Sequence, residues 1–118
     1  MTAAQAEADC LFCRIVAGDV PATLVRESDG VVAFRDINPQ APTHVLVIPR
    51  AHHATVADLA AAADGVLGEV VSVAAAVASD EGHSDYRLVF NTGAGAGQSV
   101  FHVHAHVLAG RPLTWPPG

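Results

Sequence analysis

The chain has 118 residues, of which 51% are hydrophobic and 15% are charged, and its formal net charge is −6. This length fits one domain, and the composition excludes an intrinsically disordered chain. All six basic residues are arginine. The absence of lysine excludes a P-loop NTPase and Schiff-base chemistry, and the acidic balance argues against a nucleic-acid partner.

A membrane or secretory protein is not expected from this sequence. The most apolar stretch, residues 70–78, is far shorter than the ~20 residues that span a bilayer. The N-terminal sequence carries acids where a signal peptide would carry basic residues. Cys10 and Cys13, three residues apart, are more typical of a redox motif or half of a metal site than of a secretory disulfide framework. We therefore expect a cytoplasmic protein with no membrane partner.

The first predicted elements are a short helix, a hairpin and a buried strand. Asp9 is expected to cap the helix, which ends at Gly18. Residues 23–26 and 31–34 are β-prone runs on either side of a turn, and residues 45–48 are a continuous apolar run typical of a buried strand.

The second half of the chain begins with an alanine-rich helix, which Asp64 is expected to cap and Gly82 to end. Residues 86–90 and 100–108 are predicted strands on either side of a glycine-rich loop. This order of elements predicts an α+β domain with an antiparallel sheet. Since no repeat or linker divides the chain, the predicted organisation is a flexible tail, residues 1–8, and a single domain, residues 9–118.

Residues 101–107 alternate strictly between apolar side chains and the histidines His102, His104 and His106. On a strand, such residues share one face at a spacing of ~6.8 Å, whereas on a helix they would scatter. Three aligned imidazoles exceed what packing requires. They are compatible with a zinc site or with acid–base and nucleophilic catalysis.

A glycine-rich loop, residues 91–99, leads directly into these histidines. Glycine lets backbone N–H groups approach an anion closely, so such a loop can hold a phosphate without lysine. The combination of this loop with aligned imidazoles favours a reaction at phosphorus, with an imidazole as the nucleophile or the acid.

Three segments of the chain, residues 97–108, 36–49 and 111–118, resemble the histidine triad (HIT) superfamily and, within it, the Hint branch of nucleotide-binding proteins. The resemblance runs in order from about Asp9 to Gly118. It implies an α+β, HIT-like fold: a five-stranded antiparallel sheet with two helices, continued across a homodimer.

The same resemblance implies hydrolysis of purine nucleoside phosphoramidates, such as AMP–amine conjugates or related AMP-X bonds, through a covalent nucleotidyl-histidine intermediate. One alternative is a dinucleoside polyphosphate hydrolase or nucleotidyl transferase of the same superfamily. Another is a nucleotide-binding protein without catalysis.

The resemblance also implies roles for single residues. His104 would attack the α-phosphorus, while His106 would hydrogen-bond the phosphate oxygens. His44 would belong to a proton relay, and Ser99 would meet the phosphate or the leaving group. The ribose hydroxyls would bind Asp36. The remaining nucleotide contacts would come from a purine slot, formed by Phe12, Ile15, Phe34, Ile37 and Leu46, and from the glycine-rich loop, through Asn91, Gly97 and Gln98.

A metal site is a further expectation. Some HIT relatives carry zinc where this chain has Cys10 and Cys13, and the residues that complete their site correspond here to His52 and His102. Thiolates at i and i+3 lie on one helix face, so two imidazoles would complete a closed, structural zinc site. Catalysis would require no cofactor. His53 is an alternative to His52, and two buried, reduced cysteines without metal are the other interpretation.

Overall fold

The computed structural model describes residues 7–118, so most of the predicted N-terminal tail lies outside the described residues. The elements in chain order are α1 (Leu11–Val16), β1 (Leu24–Glu27), β2 (Val31–Arg35), β3 (Thr43–Pro49), α2 (Val56–Ala61), α3 (Val66–Asp80), β4 (Arg87–Phe90) and β5 (Ala105–Ala109). The strands form one antiparallel sheet in the order β1-β2-β3-β5-β4. The predicted α+β fold with a five-stranded antiparallel sheet is therefore confirmed.

One face of the sheet packs against α3. Val31, Val45 and Val107, on three neighbouring strands, have no exposed surface and lie in one cluster with Val70 and Val77 of the helix. Because side chains alternate along a strand, the sequence neighbours of each of these valines point to the opposite face. That alternation leaves the second face available for a site.

The second face carries two kinds of side chain. Over β2 and β3, Phe34 and Leu46 pack against Phe12 of α1 in a small apolar cluster. Over β5 and β4 the face carries the polar side chains of His106 and Arg87. His106 pairs in register with Leu46 of β3 and Val89 of β4, and Arg87 pairs with Leu108. The apolar part and the polar part thus meet at His106.

The helices differ from the predicted ones in their number and their caps. The structure has a third helix, α2, which Thr55 caps by accepting the Asp58 N–H, and the sequence analysis did not predict it. The cap of α1 is Cys10 instead of Asp9, since the Cys10 Sγ accepts the Cys13 N–H. Asp64 accepts the Val66 N–H, but the residue in the cap position of α3 is Gly65.

The last strand is shorter than predicted, because β5 begins at Ala105 and not near residue 100. The Val103 N–H donates to the His53 carbonyl at 2.7 Å and not to a neighbouring strand. Val103 still packs in the same core cluster as Ala105, so the alternation of faces continues through this irregular segment. Only His106 of the three histidines therefore lies within a strand.

Within residues 7–118, no helix is both long and apolar enough to cross a membrane.

Candidate active site

A hydrogen bond to the main chain orients the His104 ring and leaves its Nε2 without a protein partner among the described residues. The ring is buried just before β5, and its Nδ1 lies 2.9 Å from the main-chain oxygen of His102. Because a carbonyl oxygen can only accept a hydrogen bond, the proton of the neutral ring is on Nδ1 and Nε2 keeps its lone pair. Phe12 packs edge-on against the ring, with 5.1 Å between the centroids. This environment holds the imidazole in one tautomer and one orientation.

His106 has the opposite tautomer, which a chain of hydrogen bonds determines. The Gln40 N–H donates to His44 Nδ1 at 3.0 Å, so the His44 proton is on Nε2. His44 Nε2 lies 2.9 Å from His106 Nδ1 and donates to it. The proton of His106 is consequently on Nε2, where it is available as a donor. Asp36 lies behind this chain, with its Oδ2 3.4 Å from His44 Nε2.

His44 and His106, the two histidines of this chain of hydrogen bonds, are held neutral. Burial lowers the pKa of His106 to about 4, and the neighbouring His104 and His44 add to that effect. Burial also lowers the pKa of His44, against an opposing effect of the Asp36 carboxylate. The tautomers of His44 and His106 therefore apply at neutral pH.

A cavity of about 630 Å³ lies between α1 and the strands β2 and β3. Nine of the predicted nucleotide and catalytic residues line it: Phe12, Ile15, Phe34, Asp36, Ile37, Leu46, Ser99, His104 and His106. The lining also includes residues that the sequence analysis missed, namely Leu11, Val20, Pro21, Ala22, Thr23, Arg35 and Val100. No sequence signal distinguishes these additional residues. The apolar ones resemble ordinary core next to a short helix, and Thr23 and Arg35 resemble ordinary residues at the ends of strands.

The glycine-rich loop does not bring all of its predicted residues to this cavity. Gln98 is buried, and its side chain accepts the Gly93 N–H and donates to the carbonyls of Ala54 and Val100. Gly97 has a φ of 93°, a conformation that favours glycine. Neither Gly97 nor Gln98 lines the cavity, so in the structure the Gln98 side chain maintains the shape of the loop.

A second cavity, of about 400 Å³, lies on the polar part of the same face. His106 lines both cavities, while His44 and Asn91 line only this one. Arg87 and Arg111 contribute charged side chains, and the C-terminal segment contributes Leu113, Thr114, Pro116, Pro117 and Gly118. The two cavities are thus neighbours on either side of His106.

Cys10, Cys13, His52 and His102 form a cluster in which the four potential ligand atoms lie within 4.8 Å of one another. His102 Nδ1 is 3.4 Å from the Cys10 Sγ and 3.5 Å from the Cys13 Sγ, and His52 Nδ1 is 3.4 Å from the Cys13 Sγ. Of the two histidines that the sequence left as alternatives, His52 belongs to this cluster and His53 does not.

His102 has the tautomer that a metal ligand needs. His102 Nε2 donates to the Pro49 carbonyl at 2.8 Å, which leaves the lone pair on Nδ1. His52 Nε2 faces a Glu7 carboxylate oxygen at 3.3 Å. Metal-ligating histidines usually donate their second N–H to such a carbonyl or carboxylate. Burial lowers the pKa of His102 to about 4 and raises the pKa of the Cys13 thiol.

Asp36, His44 and His106 also bring three potential ligand atoms within 4.8 Å of one another, but their tautomers do not suit a metal. His44 Nδ1 accepts from the Gln40 backbone, so His44 Nε2 carries a proton and has no lone pair to offer. This group is therefore a hydrogen-bond relay. The cysteine–histidine cluster differs from this group, because its donor atoms suit a metal ion.

Comparisons with known proteins show which proteins this chain is similar to. A family model described as HIT domain matches residues 17–113. The purine nucleoside phosphoramidase of Escherichia coli strain K12 is 45% identical over 107 residues, covering 89% of this chain and 90% of that protein. The 14 kDa zinc-binding protein of Zea mays is 46% identical over 112 residues, covering 92% of this chain and 87% of that protein.

Solved structures are also similar to this chain. The crystal structure of a HIT family hydrolase from Legionella pneumophila Philadelphia 1 superposes with a TM-score of 0.88 at 50% identity, covering 93% of this chain and 100% of that chain. A histidine triad protein from Clostridium difficile superposes with a TM-score of 0.86 at 37% identity, covering 92% and 96%. The similarity therefore extends over most of the chain.

Proposed function

Because this chain belongs to the HIT family, we propose that it hydrolyses purine nucleoside phosphoramidates, releasing the nucleoside monophosphate and an amine. The observation that carries the proposal is the pair of opposed tautomers on His104 and His106, whose ring centroids are 5.0 Å apart. One ring offers a lone pair and the other offers an N–H. Attack on a phosphorus atom needs both, a nucleophile and a donor to the phosphate oxygens.

The proposed reaction has two steps. In the first, the His104 Nε2 lone pair forms a bond to the α-phosphorus, the P–N bond to the leaving group breaks, and the departing nitrogen takes up a proton from solvent water. In the second, a water oxygen forms a bond to phosphorus, the bond between phosphorus and His104 Nε2 breaks, AMP leaves, and the proton that the water loses returns to the solvent. The His102 carbonyl stabilises the positive charge that develops on the His104 ring, because it accepts the hydrogen bond from Nδ1.

The other predicted residues have supporting roles. His106 Nε2 donates to a non-bridging phosphate oxygen, and His44 relays the proton behind it. The Ser99 hydroxyl meets the leaving group or the phosphate, with Asn91 and the Gly97 backbone nearby, while Gln98 holds the loop. The ribose hydroxyls donate to Asp36. The purine lies among the apolar side chains of the slot: Phe12, Ile15, Phe34, Ile37 and Leu46.

Turnover of an AMP–amide by wild type and His104→Ala tests this function. The variant is expected to lose at least about a thousandfold in kcat while it still binds AMP. Mass spectrometry of the quenched wild-type enzyme should show an AMP adduct. Equal turnover by the two proteins would refute the mechanism. Faster cleavage of diadenosine polyphosphate than of the amide would favour the polyphosphate hydrolase, and AMP binding without adduct or turnover would favour a non-catalytic binding protein.

A structural zinc ion at Cys10, Cys13, His52 and His102 is the second part of the proposal. The donor set and the His102 tautomer support it, as does the similarity to a maize protein named for zinc binding. The ion would hold α1 against the segment that precedes β5. Catalysis by the residues above would require no cofactor.

A homodimer is the third part. Within residues 7–118, β4 has β5 on one side and no strand on the other, so it forms an edge of the sheet. A second copy that pairs along this edge would continue the sheet and satisfy its open hydrogen-bonding groups. Sedimentation equilibrium is expected to give twice the chain mass of 12.1 kDa, whereas a monomer at micromolar concentration would contradict the dimer.

A further inference from the structure

Two side chains leave the turn at the C-terminal end of α3, where hydrogen bonds fix the backbone. Glu81 is the C-cap of the helix, and Gly82 follows it in the left-handed region with a φ of 86°. The His83 N–H donates to the Ala78 carbonyl at 2.8 Å, and the Gly82 N–H donates to the Ser79 carbonyl at 3.0 Å. This pair of bonds is a Schellman motif. The side chains of Glu81 and His83 therefore start from defined positions.

The Glu81 carboxylate joins the end of β2 to the start of β3. Arg35, the last residue of β2, donates to both carboxylate oxygens, at 2.9 and 3.0 Å. The hydroxyl of Thr43, the first residue of β3, donates to the carboxylate at 3.3 Å and lies 2.9 Å from His83 Nε2. Thr43 is buried, and these two partners satisfy its hydroxyl. A two-point contact between an arginine and a carboxylate fixes orientation as well as distance.

The residues that directly follow these two contacts belong to the candidate site. Asp36 follows Arg35, and His44 follows Thr43. The Asp36 N–H donates to the His44 carbonyl at 3.0 Å, and Asp36 Oδ2 lies 3.4 Å from His44 Nε2. Glu81 is thus bonded to the residue that precedes each member of this pair.

The contacts of Glu81 lie behind the sheet, on the face opposite the site. Arg35 pairs in register with Val45, which packs in the cluster with α3. Thr43 is two residues before Val45 on β3, so its side chain points to that same face, whereas His44 points to the other. Glu81 lines neither of the two cavities described above. Its influence on the site therefore passes through the backbone of the two strands.

The acid next to Glu81 in the sequence makes a different contact. Asp80 pairs with Arg26 of β1 at 2.7 Å, and both side chains are exposed. No site residue adjoins Arg26 in the sequence. An exposed ion pair contributes little to stability. Asp80 and Glu81 are therefore two adjacent acids of which only Glu81 is joined to the strands that carry the site.

We propose that Glu81 is a positioning residue: from behind the sheet it fixes the ends of β2 and β3, and it thereby aligns the Asp36 carboxylate with the ribose hydroxyls. The inference rests on the proposed function, which assigns the ribose contact to Asp36. Glu81 touches no part of the substrate and changes no bond in the reaction. Its effect is therefore expected on the contact that Asp36 makes and not on the rest of the nucleotide.

The first test is calorimetric titration of the full chain with AMP and with 2′,3′-dideoxy-AMP, which has no ribose hydroxyls. Glu81→Ala is expected to weaken AMP binding about fivefold and to change binding of the dideoxy compound by less than about twofold. Asp80→Ala is the matched control and should change neither affinity by more than about twofold. Equal losses for the two nucleotides in Glu81→Ala, or the same selective loss in Asp80→Ala, would overturn the inference.

Two further variants show whether the effect passes through Asp36. In an Asp36→Asn background, Glu81→Ala is expected to weaken AMP binding by less than about twofold, because the contact that Glu81 supports is already weakened. A loss as large as in the wild-type background would contradict this route. Glu81→Gln keeps an acceptor for the Thr43 hydroxyl, so it should show a smaller selective loss of AMP binding even if Glu81→Ala does not fold. A loss without that selectivity would again count against the inference.

Amide hydrogen exchange separates the inference from the proposed function. In the nucleotide-free protein, the Asp36 amide, which is bonded to the His44 carbonyl, should exchange about fivefold faster in Glu81→Ala and at the wild-type rate in Asp80→Ala. An unchanged rate in Glu81→Ala would overturn the inference even if the protein hydrolyses phosphoramidates. Faster exchange together with the selective loss of AMP affinity supports it even if no substrate is turned over, a result that would refute the hydrolase alone.

Discussion

The main-chain oxygen of His102 accepts a hydrogen bond from His104 Nδ1 at 2.9 Å, while the His102 side chain belongs to the cysteine–histidine cluster. Phe12 adds a second link, since it lies between Cys10 and Cys13 in the sequence and packs against His104. The cluster and the proposed nucleophile therefore share one short segment and one helix. A change that disrupts the cluster is therefore expected to alter the position of His104, both through this segment and through this helix.

The first prediction concerns the metal. Purified wild type should contain about one zinc per chain, and Cys13→Ser and His52→Gln should lose most of it and melt at a lower temperature. Their kcat should fall as well, because without the zinc ion the His102 carbonyl and Phe12 are no longer held in position against His104. His53→Gln is the matched control: it replaces a neighbouring buried histidine outside the cluster and should keep its zinc. Loss of zinc from His53→Gln alone would reverse the ligand assignment.

The second prediction concerns the ribose contact. Asp36→Asn should weaken AMP binding about tenfold, since an amide accepts hydrogen bonds less strongly than a carboxylate. Binding of 2′,3′-dideoxy-AMP, which lacks both hydroxyls, should change much less. The difference between the two losses isolates the hydroxyl contact from any effect of Asp36 on His44. Equal losses for the two nucleotides would show that Asp36 does not bind the ribose.

The third prediction concerns the stability of the fold in acid. The pKa of His106 is about 4 in the folded protein and near 6.5 when the side chain is exposed, so below about pH 6.5 the unfolded chain binds a proton that the folded chain does not. The contribution of His106 to the free energy of unfolding is therefore complete above that pH and falls as the pH drops toward 4. Between pH 7 and pH 5, the melting temperature of His106→Gln should fall by less than that of wild type. An identical loss would contradict the buried, neutral state of His106.

The fourth prediction concerns the contact between α3 and the β1–β2 turn. Glu69 accepts hydrogen bonds from the Ser28 hydroxyl and from the Gly30 N–H, and these bonds lower the pKa of its carboxyl, with Ser28 as the larger cause. A lowered pKa contributes stability above the ordinary glutamate pKa, and that stability is lost as the pH falls through the folded value. Glu69→Gln should thus lower the free energy of unfolding by about 1 kcal/mol at pH 7.

The difference between Glu69→Gln and wild type should shrink as the pH falls below 4, because the wild-type carboxyl is then protonated too. Glu27→Gln is the control, since Glu27 forms an exposed pair with Arg50 and should change the free energy of unfolding by less than about 0.5 kcal/mol. Urea unfolding at pH 7 and pH 3.5 measures both variants. A difference that persists undiminished at pH 3.5 would exclude the charged form as the cause.

The sequence alone was enough to predict which residues form the candidate site, because that information is local. The alternation of histidine with apolar residues places three imidazoles on one side of the chain, and the structure keeps them there even where β5 has not yet begun. Helix α2 was missed, since six residues with one buried leucine carry little periodic signal. The α+β fold and its family followed from the same local motifs.

Tertiary contacts alone decided the protonation of each ring and the partners of each charge. His104 and His106 are two residues apart and chemically identical, yet one bonds to a carbonyl and the other to His44, 62 positions away. Likewise, Arg87 and Arg26 are indistinguishable as residues, and only the fold pairs one with an acid and leaves the other in a cavity. A proton or a counter-ion is assigned by the nearest donor or acceptor in space, which the order of residues along the chain does not specify.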